Sequence, residues 1–203
     1  MNPNEFPTKG NLILAKNSLK LAKQGYELMD KKQNILVKEL MELIDKASSI
    51  QSEIDTTFRS AYAALQEANI KMGIRNVSDI SHAIPLDNSI RIKTRSIMGT
   101  EIPLVTGGEE MKPAYAYYSA NESLDVAREE FDKVKRLTLE LAGVENSAYR
   151  LASSINKTRK RANALKNITI PHFTELSASI ANALEEKERE EFTRLKVIKS
   201  RKG

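Results

Sequence analysis

The chain has 203 residues, 40% of them hydrophobic and 29% charged but only 5% aromatic, with a formal net charge of +5 and neither cysteine nor tryptophan. That profile suits a long-helix or coiled-coil protein better than a compact globule, and the missing cysteines exclude disulfides and thiolate chemistry and favour a reducing compartment. No apolar run nears the roughly 20 residues that cross a bilayer, and the opening MNPNEFPTKGN lacks the apolar core of a signal peptide, so the expected protein is soluble or reaches a membrane only through partners.

The first predicted element is a helix over residues 8–75. From Leu12, the positions Ala15, Leu19, Ala22, Tyr26, Met29, Gln33, Leu36, Leu40, Leu43, Ala47, Ile50, Ile54, Thr57, Ala61, Leu65, Ala68 and Met72 follow by threes and fours, with one extra four between Ala61 and Leu65. A repeat near 3.5 residues keeps one narrow stripe against a partner helix, the requirement of a coiled coil. Thr8 is placed to cap the start, with Phe6 packing back onto the first turn.

Between residues 76 and 112 the code changes. VSDISHAIPLDNSIRIKTRSIMGTEIPLVTGGEE holds the Pro, Gly, Asn and Asp that the helices lack. Its part SIRIKTRSIMGTEIPLV alternates apolar and polar residues around a Met98-Gly99 turn, so Ile90, Ile92, Ile97, Ile102 and Leu104 predict a short β-hairpin over 88–105, closed by Gly107 and Gly108. An isolated hairpin is marginal in water, so it is expected to lean on the helix ends or on a partner. The bland reading is an unstructured connector.

A second helix is expected over 113–170, opening on Pro113 as a first-turn residue. Its seam is Leu124, Ala127, Phe131, Val134, Leu137, Leu141, Val144, Ala148, Leu151, Ile155, Thr158, Ala162 and Leu165, with consecutive threes around Val134. The many alanines allow close helix approach and a slim shaft. Two long helices on one chain most simply fold back on each other, which predicts an all-α antiparallel two-helix coiled coil with a short middle hairpin; the alternative is a parallel homodimer.

The stretch TRKRANALKNITIPHF then places Pro171 inside a helical pattern, where a proline costs about 3 kcal/mol. If Met72 lies opposite Pro113, residue 173 falls opposite residue 12, and the proline sits where the partner helix begins. Residues 171–203 would overshoot as a tip carrying Leu176, Ile180, Leu184, Phe192, Leu195 and Ile198, apolar surface that something must enclose unless it folds back as a third strand.

Charge is polarised along the chain. Residues 146–174 hold six bases (Arg150, Lys157, Arg159, Lys160, Arg161, Lys166) and no acid, whereas 101–145 hold ten acids against five bases. Basic ends meet nucleic acid, anionic membrane surfaces or acidic protein walls; the bland reading of any charge run is a solvated face, which suits LEEKEREEF. There is no phosphate-binding glycine loop, no nucleophile elbow and no cofactor motif, so no catalytic residue and no cofactor are assigned. His82 and His172 are the only histidines and suit packing or surface roles better than a metal site. Tyr115, Tyr117 and Tyr118 could stack on bases but are expected to pack the hairpin.

RKRANALKNITIPHF followed by LEEKEREEFTRLKVIK closely resembles the C-terminal signature of the D subunit of V-type and archaeal-type ATPases, and PTKGNLILAKNSLKLAKQGYELMDKKQNIL is similar to that family's start. Both ends, about half the chain, carry the resemblance; Arg161 and Ala162 stand where the family has Arg-Val, and Lys166 where Glu is common. The resemblance implies a non-catalytic central rotor shaft that transmits torque between a ring of A and B subunits, where ATP is hydrolysed or made, and the ion-translocating membrane ring. It would be peripheral, on the cytoplasmic face. It further implies that Pro7, Thr8, Arg159, Lys160, Arg161, Asn163, Leu165, Ile170, Pro171, Leu176, Ile180, Phe192, Arg194 and Leu195 meet the A and B ring. The middle region would bind the F subunit and seat on the funnel-shaped subunit above the membrane ring, with Ile90, Ile92, Ile97, Ile102 and Leu104 contacting the F subunit or modulating hydrolysis. Neither nucleic acid nor membrane insertion is implied; the rival is a basic coiled-coil tether or nucleic-acid-binding protein, which would weaken steeply with salt.

Overall fold

The computed structural model describes residues 6–85, 87–107, 115 and 120–202. Among the described residues, four helices and one hairpin follow in order: α1 (Lys9–Met72), α2 (Ile74–His82), β1 (Arg91–Ile97), β2 (Thr100–Thr106), α3 (Glu122–Ala164), a single π-helical turn (Leu165–Thr169) and α4 (Ile170–Lys202). Among the described residues, no helix is long and apolar enough to cross a membrane.

Helix α1 starts as its sequence dictates. The Thr8 hydroxyl accepts the Asn11 amide at 3.2 Å and the Thr8 carbonyl accepts the Leu12 amide, satisfying donors that a helix start leaves open. The Phe6 carbonyl accepts from the Asn11 side chain at 2.9 Å, and Phe6 itself is half exposed. The helix ends at Gly73, whose φ of 86° is a left-handed conformation that glycine adopts without strain. The short helix α2 follows directly, a helix that the residue pattern does not announce, and it buries none of its residues. Helix α3 is described from Glu122, and its first turn carries Glu122 and Asp125, favourable against the helix dipole. The expected opening at Pro113 lies outside the described residues.

The chain divides into two compact units, Met1–Ile35 with Ile155–Gly203, and Leu36–Ser154. Within the second, α1 and α3 run antiparallel: Lys46 pairs with Glu140 at 2.6 Å, Phe58 and Tyr62 meet Phe131 edge-on, and Lys71 donates to Ser123 at 3.2 Å. Partner numbers fall on α3 as they rise on α1. The core there is Ile50, Ile54 and Val144, flanked by Leu43, Ala47, Phe58, Leu137 and Leu141. Every predicted seam position on α1 and α3, Gln33 and Thr57 included, is buried or half-buried, as the 3.5-residue repeat requires.

The hairpin pairs Arg91 with Thr106 through to Ile97 with Thr100. Met98 and Gly99 both have positive φ, 49° and 76°, the conformation of a tight two-residue hairpin turn. The hairpin leans on the side of α3 rather than on the helix ends. Thr100 and Ser154 share a 2.8 Å hydrogen bond, Ser147 donates to the Pro103 carbonyl at 3.2 Å and Arg150 to the Glu101 carbonyl at 3.3 Å. A β-carbon at Gly143 would meet Val105 at 3.4 Å, so the small residue lets strand and helix approach closely. Ile102 is buried and Ile97 half-buried, while Ile90, Ile92 and Leu104 stay exposed. The segment before β1 is tied down too: Asp87 accepts the Ser89 amide at 2.8 Å and pairs with Lys135 at 3.2 Å. Hydrogen bonds from Ser89, then Lys135, hold the Asp87 carboxyl down at about 2.

Candidate functional site: the helical tip and its proline

Within the unit formed by Met1–Ile35 and Ile155–Gly203, the helices again run antiparallel. Gly25 faces Leu165, the Lys166 ammonium lies 5.8 Å from the Tyr26 ring centre, and Lys9 pairs with Glu188 at 3.0 Å. Pairing therefore runs well past the expected register of residue 12 against residue 173. Ile180 is 2% exposed and Leu176 and Leu184 are half-buried, so this part of α4 belongs to the packed seam and not to an overshooting tip. From Glu185 onward every residue whose exposure is described is exposed, Phe192, Leu195 and Ile198 among them.

The proline is accommodated by a change of helix type. Over Leu165–Thr169 the chain makes one π turn, closed by the Ile170 amide donating to the Leu165 carbonyl five residues back. A π turn holds one residue more than an α turn, and widens the backbone where a proline ring would otherwise meet the carbonyl of the preceding turn. Pro171 follows immediately, contributing no amide.

The same turn corrects the register. Above it the covered positions alternate, Leu151, Ile155, Thr158, Ala162, Leu165; through it they run in fours, Leu165, Thr169, Phe173, and continue as Leu176, Ile180 and Leu184. His172 and Ser179, which a strict heptad would cover, are exposed. An uninterrupted α-helix would turn the following residues by about 100° from the seam. The wide turn absorbs the extra residue, and the seam stays on its partner.

The site residues expected from the resemblance to meet a ring all fall in this unit, in three settings. Pro7, Leu165, Ile170 and Leu176 are half-buried and Ile180 is buried, so they hold the helix pair together. Arg159, Lys160, Arg161, Asn163 and Pro171 are exposed along one stretch, as is the capping Thr8. Phe192, Arg194 and Leu195 are exposed beyond the last covered residue, with Arg194 only 3.9 Å from Glu190. His172 packs beside Phe173, and Tyr115 donates to Asp125 at 2.6 Å; Gly108, Tyr117 and Tyr118 lie outside the described residues. Among the described residues no group of three or more His, Asp or Glu could hold a metal.

The structure draws out a second apolar stripe that the pairing seam does not use. Leu14, Leu21, Leu28 and Ile35 recur every seven residues on α1, and all are exposed, three of them by 60% or more. The signal is in the sequence as a second apolar position per heptad, hidden because the first already accounts for the pairing. A helix apolar on two faces needs two coverings.

Comparison with known proteins adds to this geometry. The family model for the D subunit of ATP synthase matches residues 11–200. The D subunit of the V-type ATP synthase of Thermotoga neapolitana is 42% identical over 96% of this chain and 97% of its own. The D subunit of the A-type ATP synthase of Pyrococcus abyssi is 37% identical and that of Pyrococcus horikoshii 36%, each over 96% of this chain and 92% of its own.

Proposed function

The chain belongs to the family of ATP synthase D subunits, and from that premise we propose that it is the non-catalytic central shaft of a rotary V/A-type ATPase or ATP synthase. The observation that carries the reading is the uncovered apolar surface of one unit: the stripe Leu14, Leu21, Leu28 and Ile35, and the end of α4 with Phe192, Leu195 and Ile198. A ring of A and B subunits would enclose both. The same ring faces the exposed bases Arg159, Lys160 and Arg161. In the other unit, the hairpin and the unburied helix α2 are offered to the F subunit and to the funnel-shaped subunit, which together put the shaft at the cytoplasmic face without any insertion into the bilayer.

Torque follows from asymmetry. ATP hydrolysis closes the catalytic interfaces of the ring in turn, and a shaft with different faces meets each one differently, so closing one interface turns it; ion flow would drive the reverse. A bearing must not trap its axle at one angle. Exposed lysines and arginines suit this, because screened surface pairs are each worth about 0–1 kcal/mol.

The test is co-expression with the A and B subunits of the same source, with mass measured by multi-angle light scattering. Truncation after Glu188 removes the uncovered end of α4 and, among the described residues, no buried one. The expected result is one full-length copy in each ring and loss or marked weakening of that assembly on truncation. A chain that ignores the ring and runs as a dimer would overturn the reading.

A further inference from the structure

We infer that the root of the hairpin is a docking groove for an acidic segment of another protein of the complex, anchored by an apolar side chain. The inference rests on the reading above that the chain works inside a multi-subunit complex. Strand β2, α1 and α3 enclose a groove of about 480 Å³. Its floor is apolar, from Leu43, Leu139 and Val144 on the helices and Ile102 and Leu104 on the strand.

The rim is cationic: Lys46, Arg95 and Arg136. Lys46 is paired with Glu140, but Arg95 and Arg136 have no ion-pair partner among the described residues. Arg91 and Lys93 extend the same charge along the strand, because alternate residues share a sheet face with Arg95, and neither is paired among the described residues. Lys71 on α1 pairs with Glu67, and on α3 Lys133 pairs with Glu130 and Lys135 with Asp87. Unmatched charge thus borders an open apolar floor. A partner with carboxylates flanking a Leu, Phe or Met fills the floor and neutralises the rim, and the repulsion of a basic partner excludes it.

The experiment uses the full chain assembled with the other proteins of its own complex. Arg95→Lys and Arg136→Lys keep the charge and supply amines that a zero-length carbodiimide joins only to touching carboxylates. Both lysines are expected to cross-link to Asp or Glu of one and the same partner chain. The double variant R95E/R136E is expected to weaken that partner at least tenfold, with a flatter dependence on salt. If the complex assembles with the lysine variants and no cross-link forms at either position, or if R95E/R136E binds as tightly as the unaltered chain, the groove is not the docking site. If the unaltered chain joins no complex at all, the proposed function fails and the groove falls with it.

Discussion

The two units solve the same problem, pairing a stretch of α1 with a returning helix, with different materials. In Leu36–Ser154 the seam is thick: Ile50, Ile54 and Val144 form a core, Phe58, Tyr62 and Phe131 interlock, and a hairpin is fastened to α3 by three side-chain hydrogen bonds. In the unit built from both chain ends the buried seam is mostly small, Ala15, Ala22 and Ala162, with Ile180 the one large side chain fully buried there among the described residues. Large apolar residues are present but face outward, as Leu14, Leu21 and Leu28 do. Where large apolar residues fill the seam, the helices share a broad core; where alanines fill it, the pair is slim.

That contrast is most directly broken at the buried large residues. Leu151→Ala and Ile180→Ala each remove a fully covered side chain, 0% and 2% exposed, and each should cost about 2–5 kcal/mol. The cost is expected to be larger for Leu151, because the buried seam of the unit holding Ile180 is mostly alanine and offers less packed material. Urea unfolding followed by helical circular dichroism measures both. Equal costs would mean the slim unit is as tightly packed as the thick one.

Next in size is the π turn. Deleting Ile168, which is 68% exposed, should convert the turn to plain α-helix and strand Pro171 in a regular helix, at about 3 kcal/mol. Deleting Ile168 together with Pro171→Ala should recover most of that, since the phase of Phe173, Leu176 and Ile180 is kept. A neutral single deletion would show that the wide turn neither houses the proline nor sets the register.

In the thick unit, Gly107→Ala tests how firmly the hairpin root is clamped. Gly107 has φ 142°, and a β-carbon there would lie 2.7 Å from the Ile90 backbone. Strain of about 1–3 kcal/mol is expected, with faster amide exchange along β1. Acid sharpens the same point. The Asp87 carboxyl is held below its ordinary value of 3.8, so its contribution is complete above about pH 4 and is lost as pH falls through about 2. Asp87→Asn should flatten the stability profile between those limits and leave it unchanged in shape near neutrality.

The seam was legible because a two-helix pair has one periodicity and little else to decide; from Leu12 to Leu165 each predicted position is covered, and the Met98-Gly99 turn could be read because so short a hairpin loop needs positive φ, which glycine supplies. The pairing register was not legible. It depends on where α3 begins and on one residue absorbed at Leu165–Thr169, and a proline announces an irregularity without saying which way the backbone relieves it. Helix α2 was hidden for a similar reason: the expected helix over 8–75 runs through Gly73, and nothing in the pattern marks the break there or the restart at Ile74. At the site, residue type alone could not separate Ile180, which is buried, from Phe192 and Leu195, which are not.

The smallest effect expected is at Lys9. Its pair with Glu188 at 3.0 Å is among the last contacts between the two chain ends, yet both side chains are more than half exposed. The attraction is therefore weakened by water and salt, and fixing two long side chains costs entropy, so Lys9→Ala should change stability by about 0–1 kcal/mol and by less at high salt. Lys46→Ala, at the corresponding pair in the thick unit, loses a 2.6 Å contact with Glu140 between side chains about half exposed, and should fall at the upper end of the same range. A Lys9 effect above about 1 kcal/mol that salt removes would mean the slim unit is held by charge at its end, and that the sparse alanine seam is not what joins its helices.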